Sequence, residues 1–342
     1  IINPIITHST KNGNIRKVKN DKIDSKGIAK LGLSKDIPVS QFPAKLVLEL
    51  RSLTRKYYDL TDERSAHINK LKGDLHTVFP QYLDVFCDVT GKTSTMILRQ
   101  YGTPDKILRG HKKTMIEKIS KASRKGLAKA SERYEKLCAA ANAAKTFGCQ
   151  IDSIYFNIFL TLDLVEKLDS ALDSILNRIR QLITFNKNEK FIQQIKLLNT
   201  IPGVGFLTAV TIMCEIGDFS AFRNPKQLFA YFGLDPEVNE SGKFVGTQLH
   251  MSKRGSRIAR RAIFAVALAS IRTKRNGEGI NPYLRKYYEL KSGQKPKMVA
   301  IGAVMHKVCN IVFAVLRDEK AFELRSPEEH CKQYQRPALA AA

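Results

Sequence analysis

The chain has 342 residues, is 43% hydrophobic, and carries 57 Lys and Arg against 32 Asp and Glu, a formal net charge of +25. That length accommodates two or three domains with sizeable cores, and the apolar content excludes a disordered chain. The cationic excess points to nucleic acid as the partner and away from a membrane, because no apolar run approaches the ~20 residues of a spanning helix.

The chain opens with Ile1-Ile2-Asn3-Pro4-Ile5-Ile6, which reads as a short buried strand. A lone strand has no partner, so an upstream part of a sheet is expected to be missing. A cationic loop over Lys11–Lys19 leads to a helix predicted from about Asp21 to Leu33. Asp21 and Asp24, at i and i+3, share one face of that helix. Two such carboxylates can hold a divalent metal through oxygen, although Asp is also favoured in a first helical turn by the helix dipole.

A long helix is predicted over 40–75, with Leu46, Leu50, Leu53 and Tyr57 at helical spacing and Arg51, Arg55 and Lys56 between them. A turn at Thr77–Pro80, a short apolar segment at Tyr82–Phe86 and a helix over Lys92–Tyr101 follow, and Gly102-Thr103-Pro104 breaks the chain. Lys112 to Lys145 contains no Pro and reads as one long helix, interrupted by Phe147-Gly148. A second helix starts near Ile151, and in it Val165, Leu168, Leu172, Ile175, Ile179 and Leu182 alternate steps of three and four. That seam fits a coiled coil, or a helical hairpin packed on itself. Either is an elongated antiparallel module and a candidate dimerisation device. The six cysteines (Cys87, Cys138, Cys149, Cys214, Cys309, Cys331) form no C-x-x-C pair and read as small core residues in a reducing cytoplasm.

Ile201-Pro202-Gly203-Val204-Gly205 separates a helix ending near Leu198 from an apolar helix over Phe206–Ile216. Helix, Pro-Gly-Val-Gly turn, helix is the pattern of a helix-hairpin-helix. Gly203 and Gly205 would let the backbone approach a phosphate, the alternative being a tight turn with no ligand. Asn224-Pro225 supplies an N-cap and a first-turn Pro for the next helix. Asn239-Glu240-Ser241-Gly242-Lys243 is a small-residue loop with one hydroxyl, a default turn composition that could also present a nucleophile. Residues 241–300 then hold fourteen Lys or Arg and two acids. Salt-bridged solvated faces alternate in sign, so this excess favours a polyanion surface. Arg257, Arg260 and Arg261 share one helix face, opposite a smooth side of Ile258, Ala262, Ala265 and Ala269. Lys295-Pro296-Lys297 opens a last apolar helix, and the polar tail is expected to be disordered.

Lys19-Asn20-Asp21-Lys22-Ile23-Asp24, the Ile201–Gly205 turn, Asn239-Glu240-Ser241-Gly242 and Met251-Ser252-Lys253-Arg254-Gly255, in that order, resemble a known set. It is that of insertion-sequence transposases pairing a DEDD, RuvC-like domain with a C-terminal serine domain. The family is related to Piv-type invertases, and some members are guided by a bridge RNA. The resemblance implies a mainly α chain in four parts. These are the remainder of an α/β RuvC-like (RNase H-like) domain over 1–103, a helical coiled-coil module over 104–196, a serine transposase domain with the helix-hairpin-helix over 197–320, and a tail over 321–342. It implies Ser241 as the nucleophile toward a DNA phosphate, Asp21 and Asp24 as Mg²⁺ ligands, and Lys243, Lys253, Arg254 and Arg257 as phosphate clamps. It further implies DNA and a structured guide RNA as partners and a homodimer or dimer of dimers. The pattern's first Asp and its Glu lie upstream of the strand matching Ile1–Ile6, so half of the acidic tetrad is expected to be absent. Ser25 stands where the pattern usually has Ala, and the serine loop is one residue tighter than N-x-x-S-G.

Overall fold

The computed structural model describes residues 43–147, 151–237 and 250–326, with short pieces at 25–26, 29–30, 32–33, 149, 240–241, 244–245 and 328–329. The described residues are mainly helical. Asp21, Asp24, Lys243, Ile1–Ile6, Cys331 and the end of the tail lie outside them.

Two long helices organise the molecule: α1 (Lys45–Val78) and α7 (Asp152–Phe185), 34 residues each. At ~1.5 Å rise per residue each is about 50 Å long. They run antiparallel. Near one end the Tyr155 hydroxyl donates to the Val78 carbonyl at 3.3 Å, and midway the Arg64 guanidinium grips Asp169. The heptad seam of α7 packs within the single chain, with Val165, Leu172 and Ile179 under 10% exposed and Leu168, Ile175 and Leu182 half-buried. The seam thus serves an intramolecular helix pair, and the partner helix comes from early in the chain.

Between these helices lie α2 (Tyr82–Val85), α3 (Lys92–Gln100), α4 (Pro104–Arg109), α5 (Lys112–Ser123) and α6 (Leu127–Phe147). The single helix expected over Lys112–Lys145 is in fact two. Arg124 takes a left-handed conformation, φ +52°, at the end of α5, and the Ser120 hydroxyl donates to the Lys125 carbonyl at 2.9 Å. A left-handed residue is a common helix stop, usually Gly or Asn, and here an Arg fills it just before Gly126. The two helices fold back on each other, with Lys112 at 2.6 Å from Glu135. Their apolar faces meet Leu71, Leu75 and Val78 of α1 and Tyr155, Ile158 and Leu162 of α7 in one core.

A second core holds Leu50 of α1, Ile179 and Ile183 of α7, and the helices α8 (Lys190–Leu198), α9 (Phe206–Ile216), α10 (Pro225–Tyr231), α11 (Arg257–Ser270), α12 (Pro282–Ser292) and α13 (Lys297–Asp318). Contrary to the reading of the sequence, α13 is by length and composition able to cross a membrane. Its Ile301, Val304, Val308, Val312 and Leu316 are buried in this core, which accounts for its apolarity. The buried side of α11 is Ala259, Ala262, Ile263, Val266 and Ala267, whereas Ala265 faces solvent. Cys214 and Cys309 are core thiols, as expected, but Cys87 and Cys149 are exposed.

Candidate nucleic-acid interface and serine hairpin

Ser241 stands in β1 (Glu240–Ser241), which pairs antiparallel with β2 (Phe244–Val245), Ser241 opposite Phe244. The expected loop is therefore a hairpin. Its base is tied by backbone. Pro236 bridges Met251, and N–H groups of Glu237, Ser252 and Lys253 donate to carbonyls of His250, Asp235 and Gly233 at 2.7, 2.8 and 3.0 Å. The Ser252 hydroxyl adds a bond to the Asp235 carboxylate at 2.5 Å.

Two glycines allow this crossing. Gly233 has φ +65°, and a Cβ on it would lie 2.5 Å from Gly255 N and 2.6 Å from Arg254 N. A Cβ on Gly255 would lie 2.0 Å from the Tyr231 carbonyl oxygen. Backbone meets backbone there with no room for any side chain. Arg260 locks the crossing from α11: its guanidinium donates to the carbonyls of Gly255 at 2.7 Å and Phe232 at 3.2 Å. Burial lowers its pKa from the ordinary arginine value.

The other nominated residues divide by what they touch. Lys253 is exposed, with φ +52°. Arg254 is exposed with Asp235 3.8 Å away. Arg257 and Arg261 both reach Asp62 of α1, at 3.0 and 2.7 Å, and Arg261 also lies over the Tyr58 ring at 4.8 Å. Gly203, φ +96°, abuts α11: its Cβ would lie 2.5 Å from the Ser270 hydroxyl, which donates to the Pro202 carbonyl at 3.0 Å. Gly205 caps the start of α9 with open space where a Cβ would stand.

Sequence reading passed over the acids that hold this region to α1. Glu215, 3% exposed, receives a two-pronged bond from Arg55 at 2.8 and 2.9 Å. Arg51 donates to the Cys214 carbonyl at 2.7 Å, and the Tyr231 hydroxyl to the Glu215 carbonyl at 3.1 Å. Burial pushes the Glu215 pKa up. Hydrogen bonds from Arg55 and Ser256, with the charges of Arg55 and Arg51, outweigh it and hold the carboxylate below its ordinary value. The signal was legible: Glu215 is the one charge in the apolar run Phe206–Ile216, and a buried charge needs a partner. Among the described residues no group of three or more metal-ligating side chains converges.

Comparison with known families gives two matches. The family described as Transposase IS116/IS110/IS902 matches residues 195–289, the stretch holding α9, the serine hairpin and α11. The DEDD domain of IS110 transposases matches residues 1–80, which includes α1. The chain carries matches to two domains of IS110/IS116-type transposases. Relatives include an uncharacterised protein of insertion element IS110 from Streptomyces coelicolor, 23% identical over 83% of this chain and 66% of its own length. The pilin gene-inverting protein of Moraxella bovis is 30% identical over 52% of each chain. The transposase of insertion sequence IS1111A from Coxiella burnetii is 26% identical over 53% of this chain and 50% of its own. The chain thus spans between half and about two thirds of these relatives. Arg55–Glu215 and Asp62 with Arg257 and Arg261 join the two matched regions through side chains.

Proposed function

We propose that the chain catalyses DNA transposition or inversion, cutting and rejoining strands through a covalent link between Ser241 and a DNA phosphate. The Ser241 Oγ attacks phosphorus. An O–P bond to serine forms as the bond to one strand oxygen breaks, the serine proton passes to a base, and the departing oxygen takes a proton. Attack by a new strand hydroxyl reverses these changes, so the number of phosphodiester bonds is conserved and no nucleotide is consumed. The setting of Ser241 supports this reading: it stands on a hairpin whose base is clamped by the Gly233–Gly255 crossing, inside the family match, with exposed Lys253 and Arg254 at that base. Lys243, Lys253 and Arg254 bind flanking phosphates.

A RuvC-like part through residue 103 supplies Asp21 and Asp24. Mg²⁺ held there would polarise phosphoryl oxygens. The α8–α9 turn acts as a helix-hairpin-helix, with Gly205 opening toward a phosphate while Gly203 serves packing against α11. The domain at 197–320 and the helical coiled-coil module at 104–196 work on DNA in the cytoplasm. A structured guide RNA and a second copy of the chain complete the assembly.

The test is a denaturing gel of the purified chain with the genomic DNA that flanks its coding sequence. An SDS-resistant protein–DNA adduct is expected, absent in Ser241→Ala, while the variant keeps duplex affinity within about twofold because one neutral hydroxyl adds little to phosphate binding. Binding without an adduct in the wild-type chain would instead assign it a binding role only.

A further inference from the structure

Three of the arginines that mark the basic segment are already engaged: Arg257 and Arg261 by Asp62, and Arg260 by two backbone carbonyls. A further set of cations lies beyond them. Between 271 and 297 the acids are Glu278 and Glu289, set against Lys274 at 3.8 Å and Arg285 at 2.5 Å. Among the described residues no ion pair reaches Arg272, Arg275, Lys286, Lys295 or Lys297, and all five are exposed.

Arg272 and Arg275 sit on a narrow hairpin between α11 and α12. Asn281 N–H donates to the Ser270 carbonyl at 3.0 Å and Ile280 N–H to the Arg272 carbonyl at 2.8 Å. Thr273 bridges Gly279, Lys274 N–H donates to the Glu278 carbonyl at 2.7 Å, and Gly277 turns the tip with φ +86°. Asn276 and Glu278 bond to each other at 2.9 and 3.2 Å, which stiffens the tip and occupies its amide. The root is buried and fixed. Asn281, 2% exposed, caps α12, and Arg285 donates to the Ile271 carbonyl at 2.8 Å. Every residue from Arg272 to Glu278 is exposed, and none is a large apolar one.

We propose that this hairpin enters the major groove of duplex DNA, Arg272 and Arg275 leading, with Lys286, Lys295 and Lys297 on flanking phosphates. A two-stranded ribbon fits the ~12 Å major groove of B-form DNA. The deep, narrow major groove of A-form RNA does not admit it. A tip with no apolar anchor is unsuited to a lipid surface. The proposal rests on the DNA reading above but concerns a different element, so the two fail separately.

The test is fluorescence anisotropy of the full chain with a short mixed-sequence DNA duplex, against salt, for wild type and for Arg272→Ala/Arg275→Ala. Both side chains are exposed, so the variant should keep the wild-type melting curve. Loss of two cationic contacts should lower the slope of log affinity against log salt by about 2, and weaken binding several-fold or more. Methyl green, which fills the major groove, should displace the wild-type chain, whereas netropsin, a minor-groove ligand, should not. Equal binding by variant and wild type overturns the hairpin's role while leaving Ser241 chemistry intact. Equal loss on duplex RNA, or displacement by netropsin alone, overturns the groove. A wild-type chain with no affinity for duplex DNA overturns this proposal and the reading beneath it.

Discussion

At Gly255 a side chain has nowhere to go, since the three atoms nearest a Cβ are backbone atoms of Tyr231, Phe232 and Gly233, at 2.0 to 2.8 Å. Gly255→Ala should cost roughly 2–4 kcal/mol, read as a drop in Tm, because neither strand of the crossing can yield without losing its bonds. Gly205→Ala is the control, with open space around it, and should stay within about 1 kcal/mol, the usual cost of a poorer N-cap. Equal losses would mean that the crossing is softer than its geometry. Glu215 makes a second residue-scale prediction. Its pKa is held below the ordinary 4.5, so its contribution to stability is present above about pH 4.5 and is lost as pH falls through the folded value. Arg55→Ala removes the strongest influence lowering that pKa and leaves burial, which raises it. The variant should lose stability at neutral pH, at the low end of the ~3–5 kcal/mol typical for breaking a buried pair because Arg51 remains. Its Tm should also fall less steeply below pH 4.5 than that of the wild type. Parallel acid limbs would show that Glu215 does not depend on Arg55.

At the scale of elements, α1 is the tie. It lies in the region matched by the DEDD domain and holds α9 through Arg51 and Arg55 and α11 through Asp62. Asp62 is half exposed, and so are its ion pairs, which makes them worth no more than about 1 kcal/mol. Asp62→Asn should barely change Tm, yet it frees Arg257 and Arg261. Duplex affinity measured by titration should rise several-fold, and its salt slope should steepen by up to about 2. Unchanged affinity would place those arginines off the DNA path. The same elements mark how far sequence carried. The existence of α1, the end of α8 and the bounds of α9 and α10, with the Asn224 cap and Pro225, were legible because spacing, caps and prolines are local, although α1 runs Lys45–Val78 and not 40–75. The break at Arg124 was not, because no Gly or Pro stands at the turning residue itself. The partner of the α7 seam was not legible either, because a heptad pattern records that a face is covered and not by what.

At the scale of the molecule, two cores share α1 and α7 and little else. Leu137 is fully buried in the core built by α2 to α6. Leu137→Ala should cost about 2–5 kcal/mol there. In hydrogen exchange, protection over 71–162 should fall while that of α9, α11 and α13 holds, since the cores meet only through two helices. A uniform loss would make the whole chain one cooperative unit.

The sequence by itself determined the helical character, the cationic excess and the resemblance to these transposases, because net charge, apolar period and short motifs are properties of neighbouring residues. It also singled out Ser241, through the small residues and basic run around it. Tertiary structure alone decided which cations are spoken for. Arg257, Arg260 and Arg261 look alike in sequence, but Asp62, distant along the chain, takes two, and the carbonyls of Phe232 and Gly255 take the third. A charge's availability depends on what folds against it, and that is set by long-range packing. The serine loop began as a turn of small residues. It stands as a strand of a hairpin, held at its base by two glycines whose need for each other no local pattern records.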